Sequence, residues 1–595
     1  MEASMTKNNA SWDLDAIYRG FDDPAWKAAV RESRAAFDGL REDLSAGEET
    51  LPAEGLASLL ARYDEAALRF STPETFLTLW DSVRPADAAY ALAEKEIREI
   101  AGRRDAAFIL LEQRLAAYAA SLGEAEVPEV LASYRFLIEE SRRMAPHRPD
   151  PAQLDLLHAL RKNGEDGWYA LRNDLDAAAS VTLCLDGEEK VLPLSEVRGL
   201  AASPDPALRE AAYRAELASY PAWEVPMAAC MNGIKGEALE ELPYKHYDSL
   251  REEMLDVNRM RGETLDALHA SIRDHLPALR RYLKAKARLL GHTGGLPWYD
   301  LEAPVGGEQR ALPLAEARAL VEEILAGFSP ELGELARRAF DGSWIDAMPA
   351  PGKRSGGVCF DLPALRENRI LVNYGGSLQS ARTIAHELGH AYHNRCLDRI
   401  PMILRDAPTP ICETASTMNE TLFAEGCLAR NAGDRLSLLD ADLSGTVQVV
   451  MDVYSRYLFE DRVLALRAKR RLLPEDLCRL MTDAQKEVFG DAVDPAFLHP
   501  YLWMPKVHYY IPQYHYYNYP YYFGLLFSKG LYSMYKKDPE GFPARYRDLL
   551  AATGTNRLEE IAAIAGADIT TQAFWDSAFE SIEARAEEFC RLAKA

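Results

Sequence analysis

Five residues, His386-Glu387-Leu388-Gly389-His390, combine types and spacing that suit metal-assisted hydrolysis. On a helix, positions four apart lie about 40° from each other around the axis and one turn apart along it. Two imidazoles so placed reach a single Zn²⁺ at about 2.0–2.1 Å each. Glu387 projects from the same turn, where it can take a proton from a metal-bound water without being a ligand. Chance predicts fewer than about 0.04 such matches in a chain of this composition, so the motif is specific.

Hydrolytic zinc sites keep three protein ligands and one open position. One source of a third ligand is a His six residues past the second, after a glycine turn. Here position 393 is His and 396 is Cys, which closes that route. The other source is a glutamate on a following helix. Residues 411–420, ICETASTMNE, begin a helix-like run after Pro408 and Pro410. Glu413 and Glu420 are seven apart and share a face within about 20°. Glu413 is the candidate ligand. Glu420 is placed to hydrogen-bond the outer nitrogen of a ligating His and fix its tautomer. Ala415, Met418, Leu422 and Phe423 give the run an apolar side that must pack.

The elements that position these residues read as mostly helical. Apolar residues recur at three- and four-residue steps over 54–72, 88–122, 125–143, 152–176, 206–219, 258–291 and 313–340. The sequence predicts a hairpin over 180–193 around Asp186-Gly187, and two short strands near 358–360 and 369–374, just ahead of a helix from about 378 to 397. The remainder, 413–595, reads as helical apart from a Tyr- and Pro-rich interruption near 500–523. The expected fold is therefore mainly α, with a small antiparallel β element beside the motif helix.

Composition narrows the class. The chain has 595 residues, 68 Lys+Arg and 92 Asp+Glu, a net charge of −24, which argues against a nucleic-acid partner. With 48% hydrophobic residues it can build a large core, yet no run is long enough to span a membrane. The eight cysteines form no Cys-x-x-Cys pair and read as reduced thiols, which points to a cytoplasmic setting. No Gly-x-Ser-x-Gly occurs near a suitable His, and Gly375-Gly376 is not a phosphate loop. His246, His269, His275 and His292 read as structural, while His393 suits either a hydrogen bond near the metal or a structural role.

HELGHAYHN followed by CETASTMNE resembles the thimet oligopeptidase-like M3 metallopeptidases, most closely their oligoendopeptidase F branch. KRSGG at 353–357 and the strand ending in Asn373-Tyr374 are similar to that branch's approach to its active-site helix. WDLDAIY at 12–18 and the 180–193 hairpin extend the resemblance weakly. It implies two helical lobes around a deep channel that admits short peptides. It also implies one Zn²⁺ per chain on His386, His390 and Glu413, with Glu387 as the catalytic carboxylate and Glu420 supporting a ligand. Co²⁺ or Mn²⁺ would also suit such a donor set.

Residues 508–522 read HYYIPQYHYYNYPYY, with eight tyrosines between 507 and 522. Most of them read as aromatic packing. A phenol or protonated His aimed from the far wall would stabilise the oxyanion of amide hydrolysis without competing for the metal. The M3 pattern of a His followed by tyrosines at offsets five, nine and twelve implies His508 and Tyr517 for this role. It implies Tyr514 if the loop differs by one residue, and Tyr510 and His515 stand as substitutes.

The expected function is a zinc-dependent endopeptidase of short peptides, with Glu387 as general base and then acid and strand 355–360 aligning the substrate. The expected organisation is a disordered start at 1–10, an N-terminal helical region at 11–200 and a catalytic region at 201–595. One alternative is a zinc carboxypeptidase on a related helical scaffold. Those follow the second His with Tyr-Glu-Gln, where this chain has Tyr392-His393-Asn394. The other is a non-enzymatic peptide-binding protein.

Overall fold

A computed structural model describes residues 11–46, 51–84, 88–185, 187–307, 311–430 and 433–594. The expected disordered start at 1–10 and the Asp186 side of the hairpin turn lie outside these residues. The fold is mainly α, as the periodicity predicts. The Ala88–Leu122 and Pro206–Ser219 helices match their expected spans.

Where expected helices divide, local chemistry divides them. The 152–176 run breaks into Pro151–Arg161 and Glu165–Ala178 at Gly164. The 313–340 run breaks at Ser329, whose hydroxyl accepts from the Leu332 N–H ahead of a helix starting at Pro330. The 125–143 run opens as a 3₁₀ turn, Glu129–Tyr134, before the Arg135–Met144 helix. Apolar periodicity persists through each break, so the pattern alone reads as continuous.

Strands β1 (Ser180–Leu185) and β2 (Glu188–Pro193) form the expected antiparallel hairpin, with Gly187 at φ 82°. The second sheet contains β3 (Ile345–Asp346), β4 (Val358–Leu362) and β5 (Glu367–Leu371), in the order β3-β5-β4. The expected antiparallel pair is β4 with β5, and β3 adds a parallel partner on the other edge of β5. Two residues of strand carry too little pattern to be read from sequence.

This sheet joins two parts of the core. Alternate residues of a strand face opposite sides. Ile370 and Val372 pack into a large apolar cluster built from residues beyond 238. Leu371, with Leu362, packs into a cluster otherwise built mostly from residues 12–138. A third cluster joins the hairpin side chains Val181 and Leu183 to Phe459, Trp503, Tyr509 and Tyr510. Among the described residues, no helix is long and apolar enough to cross a membrane.

Candidate metal centre

The motif lies on the Leu378–Cys396 helix. Ser377 caps it by accepting the Ser380 N–H, and Ser380 returns a bond from the Ser377 N–H. Ala381, Ile384, Ala385, Leu388, Ala391 and Tyr392 form its buried face. His386 and His390 leave the other side. Glu413 sits at the joint between a short turn, Thr409–Cys412, and the Thr414–Arg430 helix. Two contacts fix that joint against the motif helix. Asn419 Nδ2 donates to the Ala385 carbonyl at 2.9 Å. At Gly389 a Cβ would stand 2.4 Å from the Ala415 carbonyl oxygen, so only glycine lets the two backbones approach this closely.

The result is three donors turned toward one point. His386 Nε2 and His390 Nε2 are 3.3 Å apart, and Glu413 Oε2 lies 3.4 Å from the first and 3.2 Å from the second. Ligands at a tetrahedral ion stand about 3.3 Å from each other when each bond is 2.0–2.1 Å. The spacing and donor types therefore fit a single divalent ion such as zinc. Two further groups set the donors' direction. His386 Nδ1–H donates to Glu420 Oε1 at 2.6 Å, which leaves Nε2 as the free lone pair. Arg382 holds the other Glu420 oxygen at 2.6 Å, and the Ser416 hydroxyl donates to Glu413 Oε2 at 2.6 Å.

The charges are tuned accordingly. Burial opposes ionisation of Glu413, but the His390 imidazole and the Ser416 hydroxyl outweigh it and bring the carboxyl down to about 2. Burial likewise opposes ionisation of Glu420, and Arg382 and His386 overcome it. At Glu387 burial prevails over the pull of His386 and His390, so this carboxyl is raised. A raised carboxyl beside the donors suits a group that must both accept and return a proton.

Of the eight tyrosines, Tyr509, Tyr510, Tyr516, Tyr519 and Tyr522 are buried. Tyr510 OH donates to the Trp503 carbonyl. His515 lies 3.2 Å from Lys235 Nζ through Nδ1. Those contacts remove Tyr510 and His515 as substitutes. His508, Tyr514 and Tyr517 form one open cluster: the His508 and Tyr517 rings stack at 6.0 Å, and Tyr514 meets Tyr517 edge-on at 5.6 Å. Burial raises the Tyr517 phenol, and the Cys412, Tyr514 and Glu413 charges add to the rise, which places it on the Glu413 side. Burial pushes His508 down to about 4, with Arg456 and Lys506 adding to the effect, so its ring is neutral rather than protonated at neutral pH. Sequence reasoning missed Tyr521, whose OH is 3.0 Å from His508 Nε2 and which also senses Glu413. Its signal was its place four residues after Tyr517 on a helix beginning at Tyr519. His393, left open by the sequence, is buried with Nε2 2.8 Å from Thr553 Oγ1.

The comparisons with known proteins agree with this geometry. The sequence pattern of Peptidase family M3 matches residues 322–581, the span that holds the whole donor set. Over that span the chain is similar to peptidase family M3. It is 27% identical over 478 residues to the oligopeptidase PepF of Bacillus subtilis, covering 78% of this chain and 70% of that one. It is 25% identical over 606 residues to an oligoendopeptidase F homolog of Lactococcus lactis, covering 98% and 97%. A solved structure from Chlamydophila abortus superposes on this chain with a TM-score of 0.85 at 21% identity, covering 98% of each. Oligoendopeptidase F from Enterococcus faecium gives 0.66 at 21%, covering 95% and 97%. These likenesses carry the fold.

Proposed function

We propose that this protein is a zinc-dependent endopeptidase that hydrolyses short peptides. The observation that carries the reading is the near-equilateral set of His386, His390 and Glu413, with the raised Glu387 carboxyl one residue along the same helix. His386, His390 and Glu413 would hold the ion, one per chain. When bound, zinc polarises the scissile carbonyl and acidifies water at its open position.

Glu387 takes the proton of the attacking water and passes it to the leaving amine nitrogen. Tyr517 donates its phenolic hydrogen to the oxyanion, and neutral His508 orients the aromatic cluster around it. Tyr514 and Tyr521 flank that cluster. The 355–360 stretch, which leads into the edge strand β4, aligns the peptide by main-chain hydrogen bonds. A cavity of about 220 Å³ beside Tyr514 and Tyr517, walled by Met254, Val257, Pro408 and Pro520, receives a substrate side chain. The eight free thiols favour a reducing, cytoplasmic setting. The catalytic region is 201–595, supported by the helices of 11–200.

The test is metal analysis of the purified protein together with digestion of an internally labelled peptide whose C-terminus is blocked. Internal cleavage that needs the metal is expected. Cleavage of free C-termini alone would replace this reading with a carboxypeptidase, and bound peptide without turnover would replace it with a binding protein.

A further inference from the structure

The segment that carries Tyr514 and Tyr517 rests on two carboxylates from distant parts of the chain. Gln513 and Tyr516 both take left-handed backbone, at φ 63° and 58°. Residues with side chains avoid that region, and it persists where the surroundings over-determine it. The Gln513 N–H donates to Glu165 Oε2 at 2.9 Å, and the Tyr516 N–H donates to Glu460 Oε1 at 3.0 Å. Each left-handed residue immediately precedes one of the two tyrosines that line the cavity walled by Met254, Val257, Pro408 and Pro520.

Both carboxylates are buried, at 1% and 0% exposure. Lys235 Nζ, equally buried, donates to Glu460 Oε1 at 2.6 Å and lies against His515 of the same loop. The Tyr516 hydroxyl donates to Asp461 Oδ1 at 2.9 Å. These groups arrive on three helices, Glu165–Ala178, Glu224–Lys245 and Val453–Arg467. The first two lie outside the 322–581 span that matches the family.

The arrangement is costly for packing alone. Buried ion pairs rarely stabilise more than apolar residues of the same shape would. Here each carboxylate also leaves its second oxygen, Glu165 Oε1 and Glu460 Oε2, without a hydrogen-bond partner among the described residues. Arg161 is paired with Glu241 rather than with Glu165. What the two carboxylates hold is the main chain of the loop.

We propose that Glu165 and Glu460, the latter balanced by Lys235, are positioning residues that lock Gln513 and Tyr516 and so aim Tyr514 and Tyr517 at the metal centre. The inference rests on Tyr517 acting as the oxyanion donor, and the test separates the two. The variants are Glu165→Leu, and Glu460→Leu combined with Lys235→Met, which remove the acceptors and leave no charge alone in the core. Each is made in the wild-type and Tyr517→Phe backgrounds of the metal-loaded enzyme. A drop of about tenfold in kcat is expected in the wild-type background, with KM and metal content unchanged. In the Tyr517→Phe background the same changes should lower kcat by less than about twofold, because the group being aimed has lost its hydroxyl. Equal losses in both backgrounds, or none in either, overturn the proposal. Should Tyr517→Phe keep full kcat, the role of Tyr517 falls instead. Chymotrypsin cleavage at exposed Tyr514 then decides on the cradle: faster nicking in the Leu variants supports it, and unchanged nicking overturns it.

Discussion

Glu387 rests against Gly357. A Cβ at residue 357 would stand 2.5 Å from Glu387 Oε1 and 3.0 Å from Thr383 Cγ2. The absent side chain is the space the carboxylate occupies, so the approach to β4 and the motif helix interlock at Glu387. Gly357→Ala is expected to displace the carboxylate and lower kcat by about 10–100-fold while the metal stays bound. Steady-state kinetics with metal analysis checks this, and an alanine variant of normal kcat would show that the carboxylate has room elsewhere.

Glu387→Gln keeps the size and removes the proton acceptor. Turnover should fall by about 10²–10⁴-fold with metal content unchanged. Retained peptide cleavage would exclude Glu387 as the base.

Glu420 reaches the metal only through His386, and Arg382 anchors it. Glu420→Ala should weaken metal affinity by about 10–100-fold, measured by competition with a chelator. Glu413→Ala should weaken it further, because a donor itself is lost. The reverse order would make Glu420 the ligand.

Tyr517→Phe should cost about 10²–10³ in kcat, the range for one oxyanion donor. Tyr521→Phe should cost less, since its hydroxyl is engaged with His508. If the two effects exchange places, Tyr521 is the donor and Tyr517 its support.

His269 makes stability depend on pH. It is buried with Nε2 2.8 Å from the Tyr522 hydroxyl, and burial, with Arg251 and Arg273 nearby, brings it down to about 3. An unfolded histidine titrates near about 6.5, so below that pH the unfolded chain binds the proton that the native state refuses. The stabilisation is complete above about 6.5 and is lost as pH falls toward 3. Between pH 6.5 and 4.5 the advantage of wild type over His269→Phe should shrink by about 2–3 kcal/mol. Denaturant midpoints at a series of pH values read this, and a constant gap would mean that His269 is charged in the native state.

Much of the centre was legible because helical periodicity is local. His386, Glu387 and His390 share one turn, and Glu413 and Glu420 announce themselves by a seven-residue step on a half-apolar run. Tyr521 was hidden because its relevance depends on where the helix beginning at Tyr519 starts, and Pro520 conceals that start. Glu165 and Glu460 were hidden for a different reason. Each meets the loop across 348 and 56 residues of sequence, and an acid on a helix reads as surface until its partner is known. Gly357 carries no chemistry of its own, and its meaning shows only where Glu387 fills the space beside it.

The contact between Gly389 and the Ala415 carbonyl is main chain against main chain. The gauge that spaces the three donors is therefore cut into the scaffold and does not wait for a cation to set it. A protein stripped by a chelator should keep its shape, take up fresh metal without refolding, and exchange one divalent ion for another at a rate set by access rather than by assembly.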